Sequence, residues 1–379
     1  MKAFDVVVVG LGAMGSAAVW HLARRGQRVV GLDRFVPGHE RGSSHGTSRI
    51  IRLGYFEHPA YVPLLRRAYG LWRELEAATG HRLLEITGIA EIGPPNGALV
   101  TGTLAAAQAH DLPHTVLAAS DLMRQFPAFR LPADYVAVVQ EDGGLLRPEP
   151  AIVAHLRLAK AAGAELRTGQ GVRALEPKAA GVRIVTDQGS IEAGTAIVAA
   201  GPWVTAILPD LPARLRVTRQ VTAWFDPSDA ALFTPPQFPV FILESRHGMH
   251  YGFPVDAFGV KVGKHHHLDE TVDPDDCDSS VSAQDEAVIR AALSDHLPAA
   301  NNRMRMAKTC LYTLTPDGHF LIDRVISPHI ILVSACSGHG FKFAPVIGEI
   351  VADLATQTTT AHDIARFRLD RFEPELPSL

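Results

Sequence analysis

The chain has 379 residues, of which 47% are hydrophobic and 20% are charged. With 36 basic and 40 acidic residues its formal net charge is −4 and it has no basic block, which argues against a nucleic-acid-binding or membrane-anchored protein. No apolar run approaches the roughly 18 residues that a membrane span needs. Three scattered cysteines fit neither a disulfide framework nor a zinc site. We therefore expect a soluble, cytoplasmic protein of about two domains.

A strand, a glycine-rich turn and a helix are predicted for residues 4–26. The continuous run Val6–Val9 is typical of a parallel strand buried on both faces. Small and apolar residues follow at helical spacing, and Gly26 is placed to end the helix. Residues 28–33 then form a second strand that ends on an acid. Together these elements make a complete βαβ unit.

The turn of this unit has the glycine spacing of a dinucleotide-binding motif. Gly10 permits the tight turn, Gly12 lets the backbone approach a pyrophosphate, and Gly15 allows close packing of helix on strand. Amides at the helix N-terminus would hold the phosphates. Asp33 is placed to accept hydrogen bonds from a ribose. The alternative is a coincidental glycine turn, but strand, helix and terminal acid all favour dinucleotide binding.

The remaining elements suggest that the nucleotide domain is discontinuous. Further helices are predicted at Pro59–Thr79, Thr103–His110, Pro150–Gly163 and Val346–Leu354, and further strands at Glu165–Leu175, Val182–Thr186, Thr195–Gly201 and Ile330–Val333. The chain becomes β-rich and aromatic after Leu215. The expected fold class is α/β (α+β), with a doubly wound, Rossmann-type nucleotide domain (1–85, 147–215 and 325–379) and an inserted, mostly antiparallel β-sheet domain (86–146 and 216–324).

A small-residue loop, residues 42–48, leads into two arginines. Arg49 and Arg52 are three residues apart and would share one face of a helical turn. By itself the segment could equally be a solvated basic loop.

Six segments, in order from residue 10 to residue 342, resemble the monomeric sarcosine oxidase and N-methyltryptophan oxidase family of FAD-dependent amine oxidases. They are GLGAMG with Asp33, GSSHGTSRIIR, TAIVAAGPW, YGFPVDAFGVKVGKH, KTCLYTLTPDGHFLID and SGHGFK. The resemblance implies an FAD domain and a substrate domain that covers the flavin. It also implies oxidation of a secondary amino acid, such as sarcosine or N-methyl-L-tryptophan, by a monomer that uses oxygen and releases hydrogen peroxide. The imine product would hydrolyse, and an N-methyl substrate would release formaldehyde.

The resemblance assigns roles to four residues. Cys310 matches the cysteine that attaches covalently to the flavin 8α-methyl group; otherwise it would be an inert buried cysteine. Lys261 matches a lysine that promotes oxygen activation, whereas without the resemblance it would be a charge on an edge strand. Lys342 and Arg52 match a clamp for the substrate carboxylate, and the alternative is that they are surface charges.

Other matched positions surround the flavin. His45 and Arg49 would act in catalysis on the flavin face opposite the amine site, where a positive field would stabilise reduced flavin and assist covalent attachment. Tyr251 and His265 would also assist catalysis. Tyr312 and His339 would line the substrate site. The residues expected to bind the cofactor are Gly10, Gly12, Ala13, Met14, Gly15, Asp33, Arg34, Ser43, Ser44, Thr47, Val172, Gly201, Trp203, Cys310, Gly338, Gly340, Phe341 and Lys342.

The run His265-His266-His267, with Asp269 and Glu270 nearby, superficially suggests a metal site. Adjacent residues on a strand point to opposite faces, so these histidines would not converge on one ion. We predict no metal site.

Four other functions remain open at this point. A flavin amine dehydrogenase would use an acceptor other than oxygen, which Lys261 argues against. An L-pipecolate or fructosyl-amino-acid oxidase would share the fold and differ in its substrate. A nicotinamide dehydrogenase would need only the N-terminal unit and would not need Cys310. A non-catalytic flavin-binding redox sensor would not need a carboxylate clamp.

Overall fold

The computed structural model describes residues 4–372. Within them the strands are β1 (Phe4–Val9), β2 (Val29–Asp33), β3 (Arg49–Ile51), β4 (Leu84–Ile86), β5 (Ile89–Gly93), β6 (Thr115–Ala118), β7 (Val136–Gln140), β8 (Gly144–Leu146), β9 (Glu165–Thr168), β10 (Val172–Lys178), β11 (Gly181–Thr186), β12 (Gly189–Val198), β13 (Arg216–Phe225), β14 (Val240–Ser245), β15 (Gly248–Gly252), β16 (Val260–Lys264), β17 (Met304–Leu314), β18 (Leu321–Arg324) and β19 (Ile330–Ser334). The helices are α1 (Ala13–Ala23), α2 (Val62–Thr79), α3 (Ala98–His110), α4 (Ala119–Gln125), α5 (Pro148–Ala161), α6 (Val204–Ile207), α7 (Ala283–His296) and α8 (Ala344–Gln357).

The first sheet has a parallel core in the order β9-β2-β1-β12-β19. Strands β10 and β11 extend it antiparallel to the first half of β12, and β18 pairs antiparallel with β19. Helix α1 packs against α5 and α8 over one face. Burial on both faces explains why β1 is continuously apolar. The predicted βαβ unit and the doubly wound domain are confirmed.

The second sheet has the order β17-β13-β16-β15-β14-β5-β7-β6, and only the β5–β14 pair in it is parallel. Its core is rich in phenylalanine, which accounts for the aromatic character of the chain after Leu215. The prediction of a mostly antiparallel sheet is confirmed. One consequence is that β16 lies between β13 and β15, well inside the sheet.

Three local predictions differ from the structure. Arg49 begins strand β3, which pairs with β8, so the two arginines are not on a helical turn. The strand expected at Glu165–Leu175 is two strands, because the chain turns through Gly169 with a φ of +69°. Strand β18 belongs to the first sheet although its residues fall in the predicted substrate domain.

The division into two domains stays a prediction, and its residues 1–3 and 373–379 lie outside the described part of the chain. Across residues 4–372, the longest apolar helices are too short or too polar to cross a bilayer.

Candidate active site

A cavity of about 630 Å³ extends from the carboxyl ends of β1 and β2 to the inner face of the second sheet. This edge of a parallel sheet is where ligands bind in open α/β folds. One end of the cavity is formed by the glycine turn, and the other by aromatic and basic side chains. Most of the predicted site residues line it, and three do not.

The glycine turn forms the nucleotide end of the cavity. The predicted residues that line it here are Gly10, Gly12, Ala13, Met14, Asp33 and Arg34. Gly15 lies behind the turn, where a Cβ atom would come within 1.8 Å of the Gly10 carbonyl oxygen. Its role is therefore the close packing that the motif requires. The two carboxylate oxygens of Asp33 accept hydrogen bonds from the amides of Leu11 and Phe35, both at 2.7 Å, which fixes the acid at the end of β2.

The outer rim of this end includes a residue that the sequence analysis missed. Val172, Gly201 and Trp203 line the cavity as predicted. Asp275, in the segment after the second-sheet strand β16, reaches across to them. It accepts hydrogen bonds from Arg34 at 2.6 Å and from the Trp203 indole at 2.8 Å. Four neighbouring aspartates in this segment look alike in the sequence, so no local pattern singles out Asp275.

The loop before β3 closes over the middle of the cavity. Ser43 and Ser44 line it, and the Ser44 hydroxyl accepts a hydrogen bond from the Ala13 amide at 3.3 Å. His45 is buried, and within residues 4–372 neither of its ring nitrogens has a hydrogen-bond partner. Burial, together with Arg49, lowers the pKa of His45 to about 4, so the ring is neutral at neutral pH. An unpaired buried ring that faces a cavity fits a site for a bound polar group.

Cys310 lies on β17 beside this loop, since the Ser43 hydroxyl donates a hydrogen bond to the carbonyl of the next residue, Leu311, at 2.5 Å. Gly338, Gly340 and Phe341 also line the cavity. Burial raises the pKa of the Cys310 thiol, while the nearby Arg49 and Lys261 partly offset that effect. The sulfur is thus in the cavity and close to two basic side chains.

The two predicted carboxylate-binding cations lie together at the far end. The Arg52 guanidinium carbon is 4.4 Å from the centre of the Tyr55 ring, and the Lys342 Nζ is 5.1 Å from it. Lys342 donates a hydrogen bond to the His339 carbonyl at 2.7 Å, and His339 lines the cavity beside it. Burial, together with Arg52, lowers the pKa of Lys342 to about 7.

Two acids next to Arg52 were not found by the sequence analysis. The carboxylate of Glu57 accepts two hydrogen bonds from Arg52, at 2.8 and 3.0 Å. Glu91 is fully buried on β5, 3.4 Å from the same guanidinium, and burial raises its pKa to about 7. The sequence did contain one indication of Glu91, which is the single acid within the apolar run Ile89–Ile92. A buried charge is rare unless it has a function or a partner.

The other polar groups at this end are uncharged at neutral pH. Tyr251, His265 and Tyr312 all line the cavity. Burial raises the pKa of Tyr251 to about 12 and lowers the pKa of His265 to about 3. These residues can exchange hydrogen bonds with a substrate without adding charge to the site.

The histidine run is not on a strand, so the premise of that prediction is wrong. Strand β16 ends at Lys264, and the three histidines lie in a turn. His265 faces the cavity, His266 is exposed, and His267 is buried with its Nε2 2.8 Å from Asp285. Among the described residues, no group of three His, Cys, Asp or Glu residues is placed to hold a metal ion.

Lys261 is buried but does not line the cavity. Its Nζ donates hydrogen bonds to the carbonyls of Gly46 at 2.6 Å and Ser48 at 2.9 Å, directly behind the cavity wall. Because β16 is an inner strand, the edge-strand interpretation is wrong. Thr47 also does not line the cavity, and its hydroxyl lies 3.5 Å from Asp256.

Residues 5–354 of the chain match the family of FAD dependent oxidoreductases. The chain belongs to this family. It is 42% identical over 371 residues to a monomeric sarcosine oxidase of Streptomyces avermitilis, covering 96% of both proteins. It is 36% identical over 372 residues to an N-methyl-L-tryptophan oxidase of Salmonella dublin, covering 97% of this chain and 99% of that protein. Among solved structures it is similar to NikD, an unusual amino acid oxidase essential for nikkomycin biosynthesis, with 30% identity, a TM-score of 0.85 and coverage of 97% and 98%.

Family membership makes the chain an FAD-dependent amine oxidoreductase, as predicted, and the nicotinamide alternative is wrong. The residues present fit FAD. Gly10 and Gly12 line the cavity at the N-terminus of α1, where a pyrophosphate would bind, and Asp33 stands at the ribose position. The neutral His45 ring and the Cys310 sulfur face the middle of the cavity.

Proposed function

We propose that this FAD-dependent oxidoreductase oxidises an N-methyl or cyclic secondary L-amino acid and passes the electrons to oxygen. The observation that carries this proposal is the placement of Arg52 and Lys342 around Tyr55, in the same cavity as Cys310. Two cations at the end of a cofactor cavity suit a ligand that carries a carboxylate. The names of the similar oxidases favour sarcosine or N-methyl-L-tryptophan as the substrate type.

The chain's own residues would bind the substrate and control its charge. Lys342 and Arg52 hold the carboxylate, and Arg52 has a buried Nε donor without a partner among residues 4–372 while its Nη2 group bonds to Glu57. The uncharged Tyr251 and His265 offer the nitrogen no counter-ion, and the carboxylate of Glu57 in the same cavity is paired with Arg52, which favours the neutral amine. Bound FAD supplies the two-electron acceptor. The substrate C–N bond becomes an imine, oxygen is reduced to hydrogen peroxide, and water converts an N-methyl imine to formaldehyde and the primary amine.

We further propose that the flavin is attached through an 8α-S-cysteinyl bond to Cys310, and that the protein is a cytoplasmic monomer. Replacing Cys310 with serine is expected to release the flavin into the supernatant after acid precipitation, whereas it stays with the wild-type pellet. A Cys336→Ser variant is the matched control, because this second cysteine lines the same cavity. Flavin that stays in the pellet of the Cys310→Ser protein would contradict the attachment site.

The experiment that tests the proposed function is anaerobic bleaching of the visible flavin band. The panel contains sarcosine, N-methyl-L-tryptophan, L-pipecolate, L-proline, a fructosyl amino acid and ordinary primary amino acids. Bleaching by a secondary amino acid, followed by rapid recovery and peroxide formation on admitting air, is the expected result. Bleaching that air does not reverse would favour a dehydrogenase with another acceptor. If no amine bleaches the flavin, the substrate proposal fails and the redox-sensor alternative gains support.

A further inference from the structure

The turn Gly46–Ser48 surrounds the Lys261 ammonium group with oxygen atoms. The Lys261 Nζ donates hydrogen bonds to three oxygen atoms of this turn: the Gly46 carbonyl at 2.6 Å, the Ser48 carbonyl at 2.9 Å and the Ser48 hydroxyl at 3.3 Å. No carboxylate forms an ion pair with Lys261 in residues 4–372, and burial together with Arg49 lowers its pKa well below the usual value. Its position therefore depends on these oxygen atoms, which accept N–H bonds from the amino group.

The conformation of the turn is unusual. Gly46 has a φ of +97° and Thr47 a φ of +66°, a region that residues other than glycine rarely adopt. A threonine in this conformation is strained and persists only where its surroundings enforce it. The result is that the carbonyls of Gly46 and Ser48 both point towards Lys261.

Glu149, in the first turn of α5, holds the opposite side of this turn. One of its carboxylate oxygens accepts hydrogen bonds from the amide of Gly46 at 2.6 Å and from the amide of Thr47 at 3.3 Å. Burial would raise its pKa, but backbone hydrogen bonds, including those from these two amides, and Arg49 lower it overall. The carboxylate is therefore ionised at neutral pH and is a strong acceptor for the amides. Glu149 does not line the cavity, so it does not touch the cofactor or the substrate directly.

We propose that Glu149 is a positioning residue for Lys261: by holding the amides of the Gly46–Ser48 turn, it directs two carbonyls onto the lysine and keeps the ammonium group at the cavity wall. This inference rests on the proposed role of Lys261 in the reaction with oxygen. It assigns a function to an acid that is 103 residues from Gly46 in sequence.

The test uses the loaded enzyme reduced with dithionite and mixed with oxygenated buffer, so that it needs no substrate. Recovery of the flavin absorbance is followed by stopped flow. Glu149→Ala is expected to slow recovery by about ten- to a hundredfold, since displacement of a catalytic group by about 1 Å can have such an effect. Glu149→Gln, whose amide oxygen still accepts N–H bonds, is expected to restore most of the rate. Glu85→Ala is the matched control, because its carboxylate forms a partly exposed ion pair with Arg147, the residue immediately before α5.

Further measurements separate a positioning role from general damage. The anaerobic reduction rate with an active amine should change less than threefold in Glu149→Ala. Glu149→Leu retains side-chain volume and removes the acceptor, so it replaces the alanine variant in the assay if that variant folds poorly, with the same expected slowing. Equal recovery rates in wild type, Glu149→Ala and Glu149→Leu would overturn the inference, as would an equal loss in the glutamine variant. If Lys261→Met recovers at the wild-type rate in the same assay, the role of Lys261 in the proposed function fails instead.

Discussion

Replacing Lys261 with methionine is expected to slow the reaction of the reduced enzyme with oxygen by about a hundredfold or more. A fixed charge or donor beside developing negative charge in a water-poor site typically contributes a factor of about 10²–10³. Lys261 is fully buried, and the carbonyls of Gly46 and Ser48 hold its ammonium group beside the cavity. Methionine is one atom shorter than lysine but is likewise unbranched, so the main change is the loss of the amino group and its N–H donors.

Stopped-flow absorbance separates the two half-reactions. Anaerobic reduction by the best amine is expected to change only a few-fold, while the recovery of absorbance in oxygenated buffer slows. Lys264→Met is the matched control, because this lysine ends the same strand at a partly exposed position. A Lys261→Met enzyme that loses reduction but keeps its reaction with oxygen would show that the assigned role is wrong.

Replacing Lys342 with methionine is expected to lower kcat/KM for a carboxylate-bearing substrate by roughly a hundredfold or more. Truncating one partner of a buried charge pair typically costs about 2–5 kcal/mol, and Lys342 is buried beside Tyr55 and the His339 carbonyl. Lys342→Arg keeps the charge and is expected to retain part of the activity. The substrate and its uncharged amide, compared in wild type and variant, isolate the interaction with the carboxylate. An equal loss for the acid and the amide would mean that Lys342 does not bind the carboxylate.

Lys342 and Glu91, which both lie beside Arg52, are expected to make the binding of a carboxylate depend on pH. With a pKa lowered to about 7, Lys342 is charged below that pH and loses its charge as the pH rises. Glu91, whose pKa is raised to about 7, gains its negative charge over the same range. Both changes weaken the binding of an anion, so the affinity for a carboxylate that the enzyme does not oxidise should fall as the pH rises through about 7. Titration of the flavin spectrum at several pH values measures this, and an affinity that rises with pH would contradict the proposed clamp.

Elements built from local patterns could be predicted well from the sequence. The βαβ unit at the N-terminus has a turn, a helix and two strands within about thirty residues, so every determinant lies close along the chain. The helix at Pro59–Thr79 was predicted in the same way and is α2. The prediction of a helical turn at Arg49 was wrong because this segment forms a strand by pairing with the distant β8. The spacing of two arginines cannot indicate such a pairing.

The predicted site residues were identified from short sequence segments. The acids that contact them, Glu91 and Glu149, could not be identified in this way. Arg52 was identified from its segment, whereas Glu91 reaches it only because β5 packs beside the cavity. Glu149 likewise contacts the Gly46–Ser48 turn through the start of α5. Such contacts join parts of the chain with no common pattern, so reasoning from residue types and spacing does not reveal them.

The amino-acid sequence by itself determined the nucleotide-binding unit and the mixed fold class, because these depend on periodicity and glycine positions. The candidate site residues came from the resemblance of short segments to a known family, and their roles stay predictions. Only the tertiary structure decided that Lys261 stands behind the cavity wall rather than in it, and that acids flank Arg52. Burial and hydrogen-bond partners decide the charge and the orientation of such side chains. These two determinants arise only when distant segments of the chain pack together.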